Sequence, residues 1–176
     1  LSNNNNKAGS LVAEAIKWNG QDDRYYRFAS QAALNLLSAE LNKKTDTERN
    51  NRIQNYATVA VNLAKKATEI SSRNYLNWAH LGSVYRNLIS IVDEADKLSE
   101  DAYLKAADLR PGDPTFSYQV GMLYLAKHEL LKQLSANPNV NKVQLNQLSQ
   151  DAIGKAERYL KTAVELSPNL GLAIYN

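Results

Sequence analysis

From Ala67 to Trp78, from Ala106 to Ser117 and from Ala163 to Ile174 the separation is eleven residues each time. Each alanine closes a run of small and aliphatic residues at helical spacing, and each is followed by a helix stop or polar break. A chain that leaves one helix, turns and enters the next in the same register at three joints is constrained to a stack of like units. The closing runs are Ala60, Ala64, Ala67 and Ile70 before Ser72, then Tyr103, Ala106 and Leu109 before Pro111-Gly112, then Ala156, Leu160, Ala163 and Leu166 before Pro168. Proline or glycine just past the last periodic residue ends a helix.

The helices that follow the joints carry their own pattern. Trp78, Leu81, Gly82 and Tyr85 put large, large, small and large residues on one helical face, and Val120, Gly121 and Tyr124 repeat the last three of them. A glycine inside a helix costs about 1 kcal/mol relative to alanine, which is tolerable where a second helix must approach closely. The spacing predicts three helix hairpins, over residues 22–72, 74–111 and 113–168. In the last, Pro114 to Leu134 is one helix, Ser135 to Val140 the turn and Lys142 to Leu166 the return, with Asn141 and Gln144 as a cap pair. In the first, helices run from about Asp22 to Asn42 and from about Asp46 to Ser71, with Thr45 and Glu48 as a capping box, and either Tyr25 or Tyr26 stands where Trp78 stands. Residues 9–20 read as the tail of an earlier repeat and 169–176 as the start of a later one, so that 9–176 is a single domain behind a flexible polar leader, 1–8. The chain begins at Leu1 without a methionine, and the reading is of a piece truncated at both ends.

On Trp78, Leu81, Gly82 and Tyr85, followed by a small-residue second helix that ends in proline, the chain resembles the tetratricopeptide repeat family. The resemblance covers roughly Asp22 to Asn176 and is best between Ala60 and Tyr124. It implies an all-α fold, a right-handed α-solenoid of antiparallel hairpins, with Trp78, Leu81, Gly82, Tyr85, Tyr103, Ala106, Gly121, Tyr124, Ala156 and Ala163 as packing positions. Ser72 to Pro111 spans 39 residues and Pro111 to Pro168 spans 57, against a family unit of about 34. The excess falls inside the hairpins, so the hairpins are lengthened and the joints are not, and the longest one should protrude. Arg73-Asn74-Tyr75-Leu76-Asn77-Trp78 with a lengthened hairpin, together with Asp23-Arg24-Tyr25-Tyr26-Arg27, is also similar to the repeat region that follows the membrane part of some bacterial O-antigen ligase-like and polymerase-like proteins. That resemblance implies a module tethered to a membrane through residues outside this segment, with the glycan chemistry in those residues.

Composition narrows the function classes. Twenty-one Lys and Arg against eighteen Asp and Glu leave a net charge of +3, with the signs interspersed; the densest cation pairs, Lys43-Lys44 and Lys65-Lys66, are isolated. A nucleic-acid binder gathers cations on one face or arm, so nucleic acid is not the expected partner. The absence of cysteine removes disulfides, thiolate metal sites and a thiol nucleophile. No apolar run approaches the roughly 20 residues that cross a bilayer, and the cellular compartment stays open.

Catalytic constellations are missing from the pattern as well. His80 and His128 lack a second ligand at metal spacing, and both read as structural. Asp93, Glu94 and Asp96, like Asp22 and Asp23, read as helix-start acids that complement the dipole. No phosphate-cradling glycine loop or nucleophile elbow occurs. The expectation is a chain that is not an enzyme and needs no metal or cofactor.

In stacked hairpins the first helices line the inside of a curved superhelix. Ala79, Ser83, Arg86 and Asn87 on one first helix, and Tyr118 and Met122 on the next, are therefore the candidate groove residues. Small side chains leave room, Arg86 and Asn87 offer donors for a peptide backbone or carboxylate, and Tyr118 with Met122 offers an apolar wall. Some family members grip carboxylate tails with Lys and Asn on these helices; Ala79, Ser83 and Thr115 stand there instead, which disfavours that ligand. The expected function is a scaffold or docking module for a peptide or protein segment. The alternative is an assembly module of a membrane-associated glycan polymerase or ligase, with self-association through truncated ends as a further possibility.

Overall fold

The computed structural model describes Glu14, Lys17 and residues 19–168. The expected leader, most of the partial repeat at 9–20 and the one at 169–176 lie outside the described residues. Within them the chain is six helices with no strand: α1 Asp23–Leu41, α2 Arg49–Ile70, α3 Tyr75–Asn87, α4 Ala95–Leu109, α5 Pro114–Ser135 and α6 Lys142–Leu166. They form three antiparallel hairpins, α1–α2, α3–α4 and α5–α6, with α2 packed on α3 and α4 on α5 at the joints. The fold is an all-α solenoid of three stacked antiparallel helix hairpins.

The joints repeat atom for atom. Ala67, Ala106 and Ala163 are fully buried, and the carbonyl of each accepts a hydrogen bond from the backbone N–H of the helix C-cap, Ser71, Arg110 and Ser167, at 3.1 Å in all three cases. At the first two joints an Asx side chain three residues later starts the next helix. Asn74 and Asp113 accept from the N–H groups of Leu76 and Thr115 at 3.1 and 2.9 Å, and Asp22 accepts in the same way from Arg24 at 3.0 Å. An Asx N-cap satisfies one of the orphan donors of the first turn. In the second joint Gly112 has φ +81°, a left-handed conformation that favours glycine.

The same frame settles which tyrosine replaces Trp78. The Trp78 indole N–H donates to the carbonyl of Ser72, six residues back, at 2.7 Å, and the Tyr26 hydroxyl donates to the carbonyl of Gly20, also six residues back, at 3.2 Å. Tyr26 is the equivalent position, and Ser30, fully buried, is the equivalent of Gly82.

The two helix-interior glycines mark close approach. A Cβ on Gly82 would lie 2.9 Å from the ring of Tyr103, and one on Gly121 would lie 2.6 Å from the Leu160 side chain. Around these contacts the apolar residues form two core clusters, one under the first two hairpins and one under the last two, and the half-buried Trp78 packs against both.

One local expectation fails. α2 begins at Arg49, and its N-cap, Glu48, makes no side-chain cap bond, so the Thr45–Glu48 capping box does not form. Asp46 takes over the turn: it accepts from the Glu48 N–H at 2.9 Å and pairs with Arg52 at 2.6 Å. Arg52 in turn bonds the buried carboxylate of Glu40 at 2.8 Å, closing the end of the hairpin. The third hairpin follows its predicted bounds to within a residue, with Asn141 accepting from Gln144 at 3.2 Å. At about 1.5 Å per residue, α5 and α6, with 22 and 25 residues, outreach α3 and α4, with 13 and 15, by more than 10 Å.

Candidate functional site

Ala79 and Ser83 on α3 occupy the same offsets from their N-cap as Tyr118 and Met122 on α5, so the four lie in matching rows on successive first helices. Tyr118 is half-buried and Met122 is exposed. Ala79 is half-buried against the second core cluster. Ser83 stands beside the hydroxyl of the buried Tyr103; burial pushes that hydroxyl up from its ordinary value, while the charge of Arg86 and the bond to Ser83 oppose the rise.

The two donors expected to reach a ligand are both engaged within the chain. Arg86 donates to the side-chain oxygen of Gln119 on α5. Asn87 donates to the backbone carbonyl of Ser83 at 2.7 Å and closes the last turn of its own helix. Arg86 thus ties α3 to α5 at one level, and at another the rings of Tyr75 and Phe116 meet edge-on with centroids 6.0 Å apart. Arg110, from the joint, lies 4.8 Å over the Tyr75 ring.

Polar side chains knot the hairpins together at two other places. At the seam between α1 and α3, Asn77 is fully buried. Its amide donates to Asp23 Oδ2 at 2.7 Å, to the Ala67 carbonyl at 2.8 Å and to the Ser71 carbonyl at 3.0 Å, while its oxygen accepts from Arg27. Asn74 adds a second bond to Asp23 at 2.7 Å. Burial works to raise the Asp23 carboxyl, but the bonds from Asn77 and Asn74 and the charge of Arg27 outweigh it and hold the group below its ordinary value.

The second knot joins α4, α5 and α6. Glu100 accepts from the hydroxyls of Tyr124 at 2.5 Å and Tyr159 at 2.6 Å and from Lys155 at 3.2 Å. The two tyrosine rings stack with centroids 6.4 Å apart, and the Lys155 ammonium sits 4.5 Å over the Tyr124 ring. Burial and the bond to Glu100 push the Tyr159 hydroxyl up to about 12, so it is a donor at any physiological pH. Every polar group of this cluster has a partner, and the cluster serves as a fastening.

Among the described residues His128 and Ser149 form the one serine–histidine pair, with Ser149 Oγ 2.9 Å from Nδ1. The same nitrogen lies 3.0 Å from the Ser149 backbone carbonyl, and Ser149 is buried against it, so the pair fixes α6 on α5. Among the described residues no three His, Cys, Asp or Glu side chains gather as a metal site.

One surface escaped the sequence reading, and a second stands on the hairpin expected to protrude. A furrow of about 270 Å³ runs between α2 and the α3–α4 hairpin, floored by Ala57, Val61, Tyr85, Val92 and Leu98 and edged by Lys65. Its walls come from three successive helices and from residues as far apart as Ala57 and Leu98, so no local pattern announces it. At the tip of the third hairpin Val143 is 80% exposed and Leu134 48%.

No family model matches the chain, and no curated protein matches it. Among solved structures it is similar to the crystal structure of MamA, at 12% identity over 97% of this chain and 92% of that one, with a TM-score of 0.44. It is also similar to a monomeric mutant of IFIT1 with Gppp-AAAA, at 15% identity and a TM-score of 0.38, over 97% of this chain and 41% of that one.

Proposed function

We propose that this chain is a protein-interaction scaffold that holds a peptide or protein segment along its first helices, and that it catalyses nothing. The observation that carries the reading is the pair Tyr118 and Met122, half-buried and exposed on α5, set in register beside the small Ala79 and Ser83. That arrangement offers an apolar wall next to a shallow shelf, the makings of a few side-chain anchors. Since Arg86 and Asn87 are bonded within the chain, the binding contribution comes from the apolar wall, and Arg86 shapes the groove by holding Gln119. The test is binding to an immobilised peptide library by the parent chain, by Tyr118→Ala with Met122→Glu, and by Arg86→Ala, each with unchanged helical circular dichroism. Peptides captured by the parent and lost by the double variant support the groove; a capture profile indifferent to it overturns the reading.

A second reading is favoured by the exposed Val143 and Leu134 at the hairpin tip. The chain then acts as an assembly module of a larger protein, the role that a sequence resemblance to O-antigen ligase-like proteins would imply, and the tip is its contact. Val143→Glu with Leu134→Glu abolishes association under this reading and leaves peptide capture intact.

A further inference from the structure

Among the described residues, one buried side-chain nitrogen or oxygen has no hydrogen-bond partner: Nε2 of His80. His80 lies on α3 one turn after Asn77 and one turn before Val84, both fully buried. Asn77 faces α1 and α2, so His80 sits in the same seam. We infer that this seam is a pH-responsive joint in which proton uptake by the His80 imidazole separates the first hairpin from the other two.

The argument is electrostatic. An imidazolium in this seam would need an acceptor or a carboxylate, and the seam has neither to spare. From α1 the charged groups are Arg27, a cation, and Asp23, whose carboxylate is engaged by Arg27 at 3.3 Å and by Asn74 and Asn77. From α2 the seam receives Ala60, Ala64, Ala67 and backbone carbonyls; Lys65 edges the furrow, and Lys66 pairs with Glu69 at 3.0 Å. On α3 itself Arg86 is held by Gln119. Of the acids of α4, Asp96 pairs with Lys127 at 2.5 Å and Glu100 with Lys155 at 3.2 Å, while Asp101 and Asp108 are exposed to solvent. Burial first, and the Arg27 charge second, lower the His80 pKa to about 4.

The direction follows from linkage. The open form takes up the proton near the ordinary value of 6.5 and the closed form only near 4, so acid favours opening. The opening constant of the joint rises on the order of tenfold between pH 7.5 and 5.5. The chain has two histidines, so His128 is the natural control.

The experiment is hydrogen exchange of the full chain at pH 7.5 and 5.5, corrected for intrinsic exchange, in the parent, His80→Leu and His128→Gln. Protection of α1 amides is expected to fall about tenfold more than that of α5 and α6 amides in the parent and in His128→Gln, and to stay level in His80→Leu. An equal fall in His80→Leu, an equal fall along the whole chain, or no fall overturns the inference. Should His80→Leu not fold, the proton resonances of the His80 ring in the parent decide: titration near the ordinary histidine value overturns it, and titration well below that value, together with the α1-specific fall, sustains it. Peptide binding to α3 and α5 plays no part in the measurement.

Discussion

Tyr124 and Glu100, on α5 and α4, share a hydrogen bond of 2.5 Å that fastens the second hairpin to the third. The same carboxylate takes the Tyr159 hydroxyl and the Lys155 ammonium from α6. Burial works to raise Glu100, yet these donors outweigh it and hold the carboxyl below its ordinary value. A half-buried acceptor serving three donors is costly to lose, because its removal strands all of them.

Glu100→Ala is therefore expected to destabilise the chain by about 2 to 4 kcal/mol in urea unfolding, with Tyr124→Phe costing about 1 kcal/mol. Because the folded pKa is depressed, the Glu100 contribution is present above the ordinary carboxyl range and is lost as pH falls through the folded value. In Glu100→Gln the acid-induced loss of stability should be shallower than in the parent. A parallel loss in both would place the acid sensitivity in other carboxylates, with Asp23 the first to examine.

The glycines give opposite predictions at different sites. Gly82→Ala drives a Cβ to 2.9 Å from the ring of Tyr103, which is 3% exposed and has little room to move. The strain exceeds the helical gain of about 1 kcal/mol, and a net loss of about 1 to 2 kcal/mol is expected. A Cβ on Gly154, in the interior of α6, would meet nothing within 4 Å. Gly154→Ala should raise stability by up to about 1 kcal/mol. Thermal unfolding of the two variants side by side checks both signs.

What could be read along the chain was what short-range chemistry dictates. The stop at Pro111-Gly112, the Asn141 pair with Gln144 and the helix-start acid Asp22, which proves to be an N-cap, rest on residues at most three apart, whereas the matching caps Asn74 and Asp113 emerge only in the structure. Gly82 and Gly121 were legible because a glycine in a helix must be repaid by close approach. The Thr45–Glu48 box misled because Asp46, one residue on, competes for the same turn. The knots at Asn77 and Glu100 carry no local signal, since the bonds that cross between hairpins, Asn77 to Asp23 and Glu100 to Tyr124 and Tyr159, join residues 24 to 59 positions apart. As for the groove, Ala79, Ser83, Tyr118 and Met122 were placed in register by the repeat, but the bond of Arg86 to Gln119 depends on how α3 meets α5, which no single-helix pattern contains.

Asn77 separates stacking from folding. Its amide bridges Asp23, Ala67 and Ser71, so Asn77→Leu leaves the Asp23 carboxylate and the two carbonyls each one donor short, the carbonyls keeping only their backbone partners. A cost of about 2 to 4 kcal/mol is expected, concentrated at the joint between the first and second hairpins. Proteolysis should then release fragments cut near residues 71–74, where the parent resists. Uniform digestion along the chain would mean that the joint holds no special share of the stability.

The hairpin tip should behave in the opposite way. Between Leu131 and Ser149 no residue is buried, so the outer turns of α5 and α6 add length without adding core. Leu145 alone among them packs partly against the second cluster. Removing one turn from each helix beyond Leu145, with Leu134 and Val143 in the excised part and a short Asn-Gly turn in their place, should change unfolding free energy by less than about 1 kcal/mol. Solubility should improve, because two of the exposed aliphatic side chains go with it. If the shortened chain keeps its stability but loses association with a partner or with itself, the protrusion is a contact surface, and the assembly reading gains on the groove. If it loses several kcal/mol, the outer turns hold α5 and α6 together despite burying nothing, and the fastening at Glu100 is weaker than its geometry indicates.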